Sequence, residues 1–243
     1  MLADDLRGIY YIALKDMKAY YLKPPAISWG ILFPVAIILA FYLRSPQNFE
    51  ELVPGLIAMT VLFSATSMEA VIINFELRIG ALERLLLAPI SLSAVLLGKV
   101  LGGAVFGLMI TAVVTVGSIL ALGLYQLNLL YLVLILFLSL LAFSALGALV
   151  SVSVKEVFEA QTLANFIRFP MIFLCGVFFP LSAMPPVLKH IAYVLPLTYT
   201  VRGVQQALGS VQSNNVIIDV LVLIAFTLAF IFPAVRLLAR RFA

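Results

Sequence analysis

His190 and Cys175 are the chain's only histidine and only cysteine, which limits its chemistry at once. One of each cannot form a His/Cys metal cluster, and a single cysteine makes no intrachain disulfide. A Ser–His dyad would have to use His190, and no nucleophile motif brackets it. A nucleotide-cradling loop needs G-x-x-x-x-G-K-[ST], where lysine and hydroxyl meet phosphate and magnesium. Here Gly98-Lys99 is followed by Val100, and Ser93 stands where the first glycine belongs. The sequence therefore offers no catalytic residue, no metal site and no cofactor of its own, and an ATP-driven process would need its ATP site on another chain.

Two carboxylates fall inside apolar runs, Glu69 and Asp219. Ionisable groups at such positions are costly and are kept for function or for pairing. Glu69 reads either as a relay residue or, more simply, as a paired or snorkelling carboxylate, and Asp219 as the latter. Their scarcity counts against a proton- or sodium-coupled carrier. Thr60, Ser64, Ser67 and Asn74 recur at spacings of four, three and seven and share one helical face. Such a stripe serves as interhelical glue or as part of a substrate path. Gly98 with Gly102, and Gly103 with Gly107, are spaced for close helix approach, within the chain or between two copies.

These residues need helices in lipid to position them. Of 243 residues 64% are hydrophobic and only 11% charged, with a mean hydropathy of +1.19. Soluble domains are roughly 45–50% apolar and about 25% charged, so the solvent for this chain is a bilayer. The fold class expected is an all-α integral membrane protein, one transmembrane domain over 1–243, with six spans. Against the ~20 apolar residues that a crossing requires, the spans fall at 26–43, 52–75, 94–123, 129–153, 160–180 and 214–236. The third and fourth are joined tightly near Tyr125 to Asn128. Residues 4–23 read as an amphipathic interfacial helix: Leu6, Ile9, Tyr10, Ala13, Met17, Tyr20 and Tyr21 recur at three and four, opposite Asp4, Arg7, Tyr11, Lys15 and Lys18. The late start of the first apolar run and the acidic Asp4-Asp5 do not fit a cleavable signal peptide.

Lysine and arginine set orientation. With a cytoplasmic N-terminus the inside set is Arg7, Lys15, Lys18, Lys23, Arg78, Arg84, Lys99, Lys155, Arg168, Arg236, Arg240 and Arg241. The outside set is Arg44, Lys189 and Arg202, a split of 12 against 3. Both termini are then cytoplasmic. The positive charges are scattered, a topology signal and not a nucleic-acid surface. The stretch 181–213 is too broken by Pro185, Pro186 and Pro196 for a span and too apolar for a free loop. It reads as one or two short helices re-entering the outer leaflet, or as an external cap.

Between the second and third spans runs Asn74-Phe75-Glu76-Leu77-Arg78-Ile79-Gly80-Ala81-Leu82-Glu83-Arg84-Leu85-Leu86-Leu87-Ala88-Pro89. Leu82, Leu85 and Leu86 form one apolar face, while Glu83 and Arg84 point elsewhere and Pro89 stops the helix. That is a knob for a partner or a simple interfacial turn. The segment resembles the signature of permease subunits of type-2 ATP-binding-cassette exporters, the daunorubicin- and polysaccharide-exporter kind, which carry E-R-x-G-x-L-E-x-L-x-x-x-P after the second span. Glu76, Arg78, Gly80, Leu82, Glu83, Leu85 or Leu86, and Pro89 match it, although Glu76 and Arg78 are not adjacent here. Phe179-Pro180-Leu181-Ser182, Met184-Pro185, Leu195-Pro196-Leu197-Thr198-Tyr199 and Arg202-Gly203 resemble the family's late run.

The resemblance covers essentially the whole chain and implies a mechanism. Two permease copies, a homodimer, would sit in the cell membrane with two ATPase subunits on the cytoplasmic side, ATP and magnesium being bound by those subunits. A helix at 77–88 would couple to the ATPase through Arg78, Gly80, Leu82, Glu83, Arg84, Leu86 and Pro89. The segment 181–206 would form an outer gate with Pro180, Met184, Pro185, Pro196 and Tyr199. Ser64 and Ser67 on the second span, with Asn165, Phe166, Phe169 and Phe173 on the fifth, are candidates for the path. A greasy path favours an amphiphilic drug, lipid or glycan-linked cargo. The competing class is a self-sufficient secondary carrier or channel.

Overall fold

The computed structural model describes residues 2–44, 49–123, 127–209 and 216–242. The tight junction expected near Tyr125 begins outside them. Every regular element among the described residues is helical. In chain order these are α1 (Leu2–Asp16), a π-helical turn (Met17–Tyr21), α2 (Pro24–Arg44), α3 (Phe49–Arg78), α4 (Ala81–Leu85), α5 (Leu92–Leu122) and α6 (Leu129–Ser153). There follow α7 (Val157–Leu174), a 3₁₀ turn (Leu181–Ala183), α8 (Pro186–Tyr193), α9 (Pro196–Ala207) and α10 (Val216–Phe242).

Local chemistry sets the boundaries. The Pro24-Pro25 pair opens α2, where the missing N–H of a proline is harmless. The Ser91 hydroxyl accepts from Ala94 N–H at 3.2 Å and starts α5. Asn128 does the same for α6, accepting from Tyr131 N–H at 3.1 Å. Glu156 and Glu159 form a reciprocal capping box on α7.

Among the described residues four helices are long and apolar enough to cross a bilayer: α3, α5, α6 and α10. α2 and α7 stand where the first and fifth spans were expected, with α7 ending at Leu174, six residues short of the expected end. α3 has 30 residues, roughly 45 Å at about 1.5 Å each, against a hydrocarbon core of about 30 Å. Its charged ends, Glu50 and Glu51 at one and Glu76 and Arg78 at the other, therefore reach toward the two interfaces.

α3 is the axis of the bundle. From Val53 to Leu62 each of its residues is buried, and α5, α6, α7 and α9 pack around it. α10 lies outermost, lying against α6 and α9 while Ile217, Leu221, Leu228 and Phe232 remain exposed. Lipid tails are as apolar as leucine, so close packing, not escape from water, holds such helices together. The glycines supply that closeness within the chain. A Cβ on Gly98 would lie 2.9 Å from the Ile12 side chain of α1, and one on Gly107 would lie 2.6 Å from Leu140 of α6.

α1 follows the expected pattern only in part. Leu6 and Tyr10, assigned to its apolar face, are exposed together with Tyr11, whereas Ile9 and Ala13 of that face approach α5 beside Ile12 and the buried Asp16. The outer segment divides in two. α8 is largely exposed, whereas α9 is inserted among α3, α6 and α10. The Thr200 and Ser139 hydroxyls lie 2.8 Å apart, and Gly203 lets α9 approach Ile135 of α6. An external cap therefore does not describe α9.

Candidate functional site

The end of α3 that leads into α4 is the best-defined polar region. The helix expected over 77–88 is interrupted: α3 runs to Arg78, Gly80 adopts φ 68°, and a single helical turn, Ala81–Leu85, follows. That left-handed conformation is cheap only for glycine. Leu82 is fully buried against a cluster containing Ile73, Val95, Leu96 and Val152. Leu85 and Leu86 are half-buried, and Arg78, Glu83, Arg84, Leu87 and Pro89 are exposed. Arg78 reaches Glu156 at the head of α7 at 3.5 Å. The turn is thus anchored by one leucine and presents a mixed apolar and charged face outward.

Beneath it lies a closed ring of four charges. Lys15 Nζ is 2.9 Å from Asp16 Oδ1 and 2.5 Å from Glu76 Oε1. Lys99 Nζ is 3.1 Å from Asp16 Oδ2 and 2.5 Å from Glu76 Oε2. Asp16, Glu76 and Lys99 are buried, and Lys15 half so. Two ammonium groups alternate with two carboxylates, so the ring is neutral, and it ties α1, α3 and α5 together. Desolvating four charges costs several kcal/mol each, which only such mutual pairing repays. Burial pulls the Lys15 ammonium down, but the Asp16 and Glu76 carboxylates outweigh it and leave it above the usual lysine value. Burial and the Glu76 carboxylate push the Tyr20 hydroxyl up to about 12.

The ring is what sequence reasoning missed. The sequence pattern gives Asp16 no role, sets Lys15 on the outward face of α1, and offers Lys99 only as a topology charge and a lysine that fails the phosphate-loop pattern. The signal was available in part: three of the four charges lie at the ends of apolar segments, but their pairing depends on how α1 folds back on α5. Glu69 is likewise paired, accepting a hydrogen bond from the buried Tyr21 hydroxyl. Its side chain is wedged between two glycines. A Cβ on Gly103 would sit 2.6 Å from Glu69 Cγ, and one on Gly147 2.9 Å from Glu69 Cβ. Asp219, the other intramembrane carboxylate, meets Arg202 at 3.4 Å and accepts from Gln206 at 3.2 Å.

The expected path residues meet along α3 and α7. Ser64 is buried and points to the carbonyls of Val61 and Gly107. Ser67 and Asn165 are half-buried, while Phe166, Phe169 and Phe173 stand exposed along α7. Between them lies Arg168, which the orientation tally treated as a cytoplasmic charge. It is within α7 and only 1% exposed, so it is no topology signal. Its Nε donates to the Ala164 carbonyl at 3.2 Å and its Nη1 to the Ser67 hydroxyl. The guanidinium lies 5.0 Å from the Phe63 ring centre. Of the outer residues, Pro180 and Pro185 are exposed and Met184 is half-buried. Pro196 is buried at the start of α9, and the Tyr199 hydroxyl donates to the Tyr193 carbonyl at 2.8 Å. Among the described residues no His/Cys/Asp/Glu group has the spacing to hold a metal ion.

An all-helical bundle with four helices long and apolar enough to cross a bilayer among the described residues is that of a multi-pass membrane protein. Residues 7–209 match the family model described as ABC-2 type transporter. The chain belongs to that family and is a transmembrane permease subunit of an ATP-binding-cassette transporter. It is 25% identical over 237 residues to the inner membrane transport permease YadH of Escherichia coli K12, covering 91% of this chain and 93% of the relative. It is 28% identical over 183 residues to the probable multidrug ABC transporter permease YbhS of the same organism, covering 74% and 48%. It is 24% identical over 240 residues to nodulation protein J of Bradyrhizobium diazoefficiens, covering 95% and 88%.

Proposed function

We propose that this chain is the membrane half of an ATP-driven exporter. It crosses an inner membrane six times, with α2 and α7 as the first and fifth spans, α1 at the interface and both termini cytoplasmic. It pairs with a second copy of itself, and each copy receives a separate ATPase subunit that binds ATP and magnesium. The observation that carries this reading is α4, anchored by the buried Leu82 while Glu83, Arg84 and Leu87 face outward beside the charge ring. A movement applied to that outward face passes through Leu82 into α3 and α5. To shift the bundle, the two nucleotide states of the ATPase must contact α4 differently. The segment 181–206 acts as the outer gate, and the cargo is an amphiphilic drug, lipid or glycan-linked molecule moving between α3 and α7.

The test is co-purification. The tagged chain, extracted in detergent, is expected to bring down a soluble P-loop ATPase. Transport in liposomes containing this chain alone would overturn the proposal in favour of a self-sufficient carrier.

A further inference from the structure

Arg168, like Glu69 with its Tyr21 hydroxyl, is deeply buried without an oppositely charged partner among the described residues. Asp16, Glu76 and Lys99 answer one another, and Asp219 has Arg202. Arg168 has a carbonyl, a hydroxyl and an aromatic face, and its Nη2 has no hydrogen-bond partner. No carboxylate pairs with it among the described residues. Its contact Ser67 lies eleven residues before the end of α3 at Arg78, roughly 16 Å at about 1.5 Å per residue. With α3 roughly 45 Å long against a core of about 30 Å, this places Arg168 within the apolar part of the bundle and away from the charged end of α3. An arginine inside that region is costly, and such residues face the bundle interior, pair with one another or with backbone carbonyls, and mark substrate or ion pathways.

Its surroundings suit an amphiphile. Ser67, which the guanidinium touches, is only half-buried, as is Asn165 three residues before Arg168 on α7. Phe166, Phe169 and Phe173 recur at three and four on α7 and are 76%, 48% and 54% exposed. A guanidinium presents paired donors that match phosphate or carboxylate oxygens in a fork.

We propose that Arg168 binds the anionic headgroup, a phosphate or carboxylate, of an amphiphilic cargo whose apolar tail lies along Phe166, Phe169 and Phe173. The proposal rests on the exporter reading for its meaning but not for its test. The headgroup supplies the missing counter-ion, and Ser67 and Asn165 supply neutral hydrogen bonds at its edge.

The test uses the purified full-length chain in a maltoside detergent, with dodecyl phosphate, zwitterionic dodecylphosphocholine and inorganic phosphate as probes. Dodecyl phosphate is expected to bind about tenfold or more tightly than dodecylphosphocholine, the scale of one charge-assisted hydrogen bond. Arg168→Gln should remove that preference and Arg168→Lys should keep part of it. Equal binding of the two amphiphiles, or an unchanged preference in Arg168→Gln, overturns the site. Competition by inorganic phosphate as strong as by dodecyl phosphate overturns the amphiphile and leaves a free anion. Should Arg168→Gln fail to fold, the wild-type preference and the Arg168→Lys value decide alone. Recovery of an ATPase without the preference sinks only this site. The preference without an ATPase sinks the exporter reading and leaves the site standing.

Discussion

Lys99 and Glu76, on the two long helices either side of α4, meet at 2.5 Å with both side chains buried. Their contact closes a neutral ring with Lys15 and Asp16, and it fixes where α3 ends relative to the start of α5. The turn expected to receive the ATPase is carried between these two helices, so its position is set by charges below it as well as by Leu82.

Removing one member of the ring leaves like charges facing each other without water. Lys99→Met is expected to destabilise the folded protein by about 3–5 kcal/mol, the range for an uncompensated buried charge. The replacement Lys99→Met with Glu76→Gln should recover part of that loss, because Lys15 and Asp16 can still pair. Thermal unfolding in detergent of the two singles and the double checks this, and strict additivity would show that the contact is not an interaction.

Glu83→Lys separates coupling from folding. Glu83 is exposed, so the change should alter stability by less than about 0.5 kcal/mol while reducing ATPase binding or its stimulation by cargo. Leu82→Asp is a poor companion test, since Leu82 is fully buried and a carboxylate there would loosen the packing of α4 itself. An unchanged ATPase response in Glu83→Lys would remove this residue from the docking face.

Gly80→Ala places a Cβ on a residue with φ 68°. The strain of about 1–2 kcal/mol should fall on the α3–α4 junction, where a Cβ meets little else than the Glu83 carboxylate at 3.9 Å. A small drop in melting temperature with a larger loss of transport is expected. Equal transport per folded molecule would mean that the junction tolerates another geometry.

Alkaline conditions should weaken the protein through α1. Lys15 and Tyr20 both hold their protons more tightly when folded than when unfolded. Their contribution is complete below the ordinary values of about 10 to 10.5 and is lost as pH rises through the folded ones. Melting temperature should therefore fall between about pH 9.5 and 12, and Lys15→Met with Tyr20→Phe should flatten that fall relative to its own value at neutral pH.

Helix positions were legible in the sequence because apolar length is a strong signal in lipid. The expected 129–153 span coincides with α6, and α3, α5 and α10 overlie three others with ends set by caps such as Ser91; α2 and α7 stand at the remaining two positions but are not among the four helices long and apolar enough to cross among the described residues. The polar contacts were not legible. The adjacent Lys15 and Asp16 are far in the chain from Glu76 and from Lys99, and nothing in their local pattern says that α1 turns back onto α5. Arg168 falls inside the expected 160–180 span and yet enters the cytoplasmic charge set; only its burial in α7 shows that it does not belong there. Leu82 was legible as apolar, but only its neighbours Ile73 and Leu96 show that it is buried within this chain and holds α4 down.

The wedge of Glu69 between Gly103 and Gly147, with Tyr21 across from it, bears on how this chain can vary. A larger residue at either glycine collides with the carboxylate, and a smaller residue at 69 strands the tyrosine hydroxyl and opens a void between three helices. Positions 21, 69, 103 and 147 are therefore a single unit of substitution, spread over four helical segments. A library that changes them one at a time will score each as intolerant, while the allowed alternatives lie among combinations that no single replacement can reach.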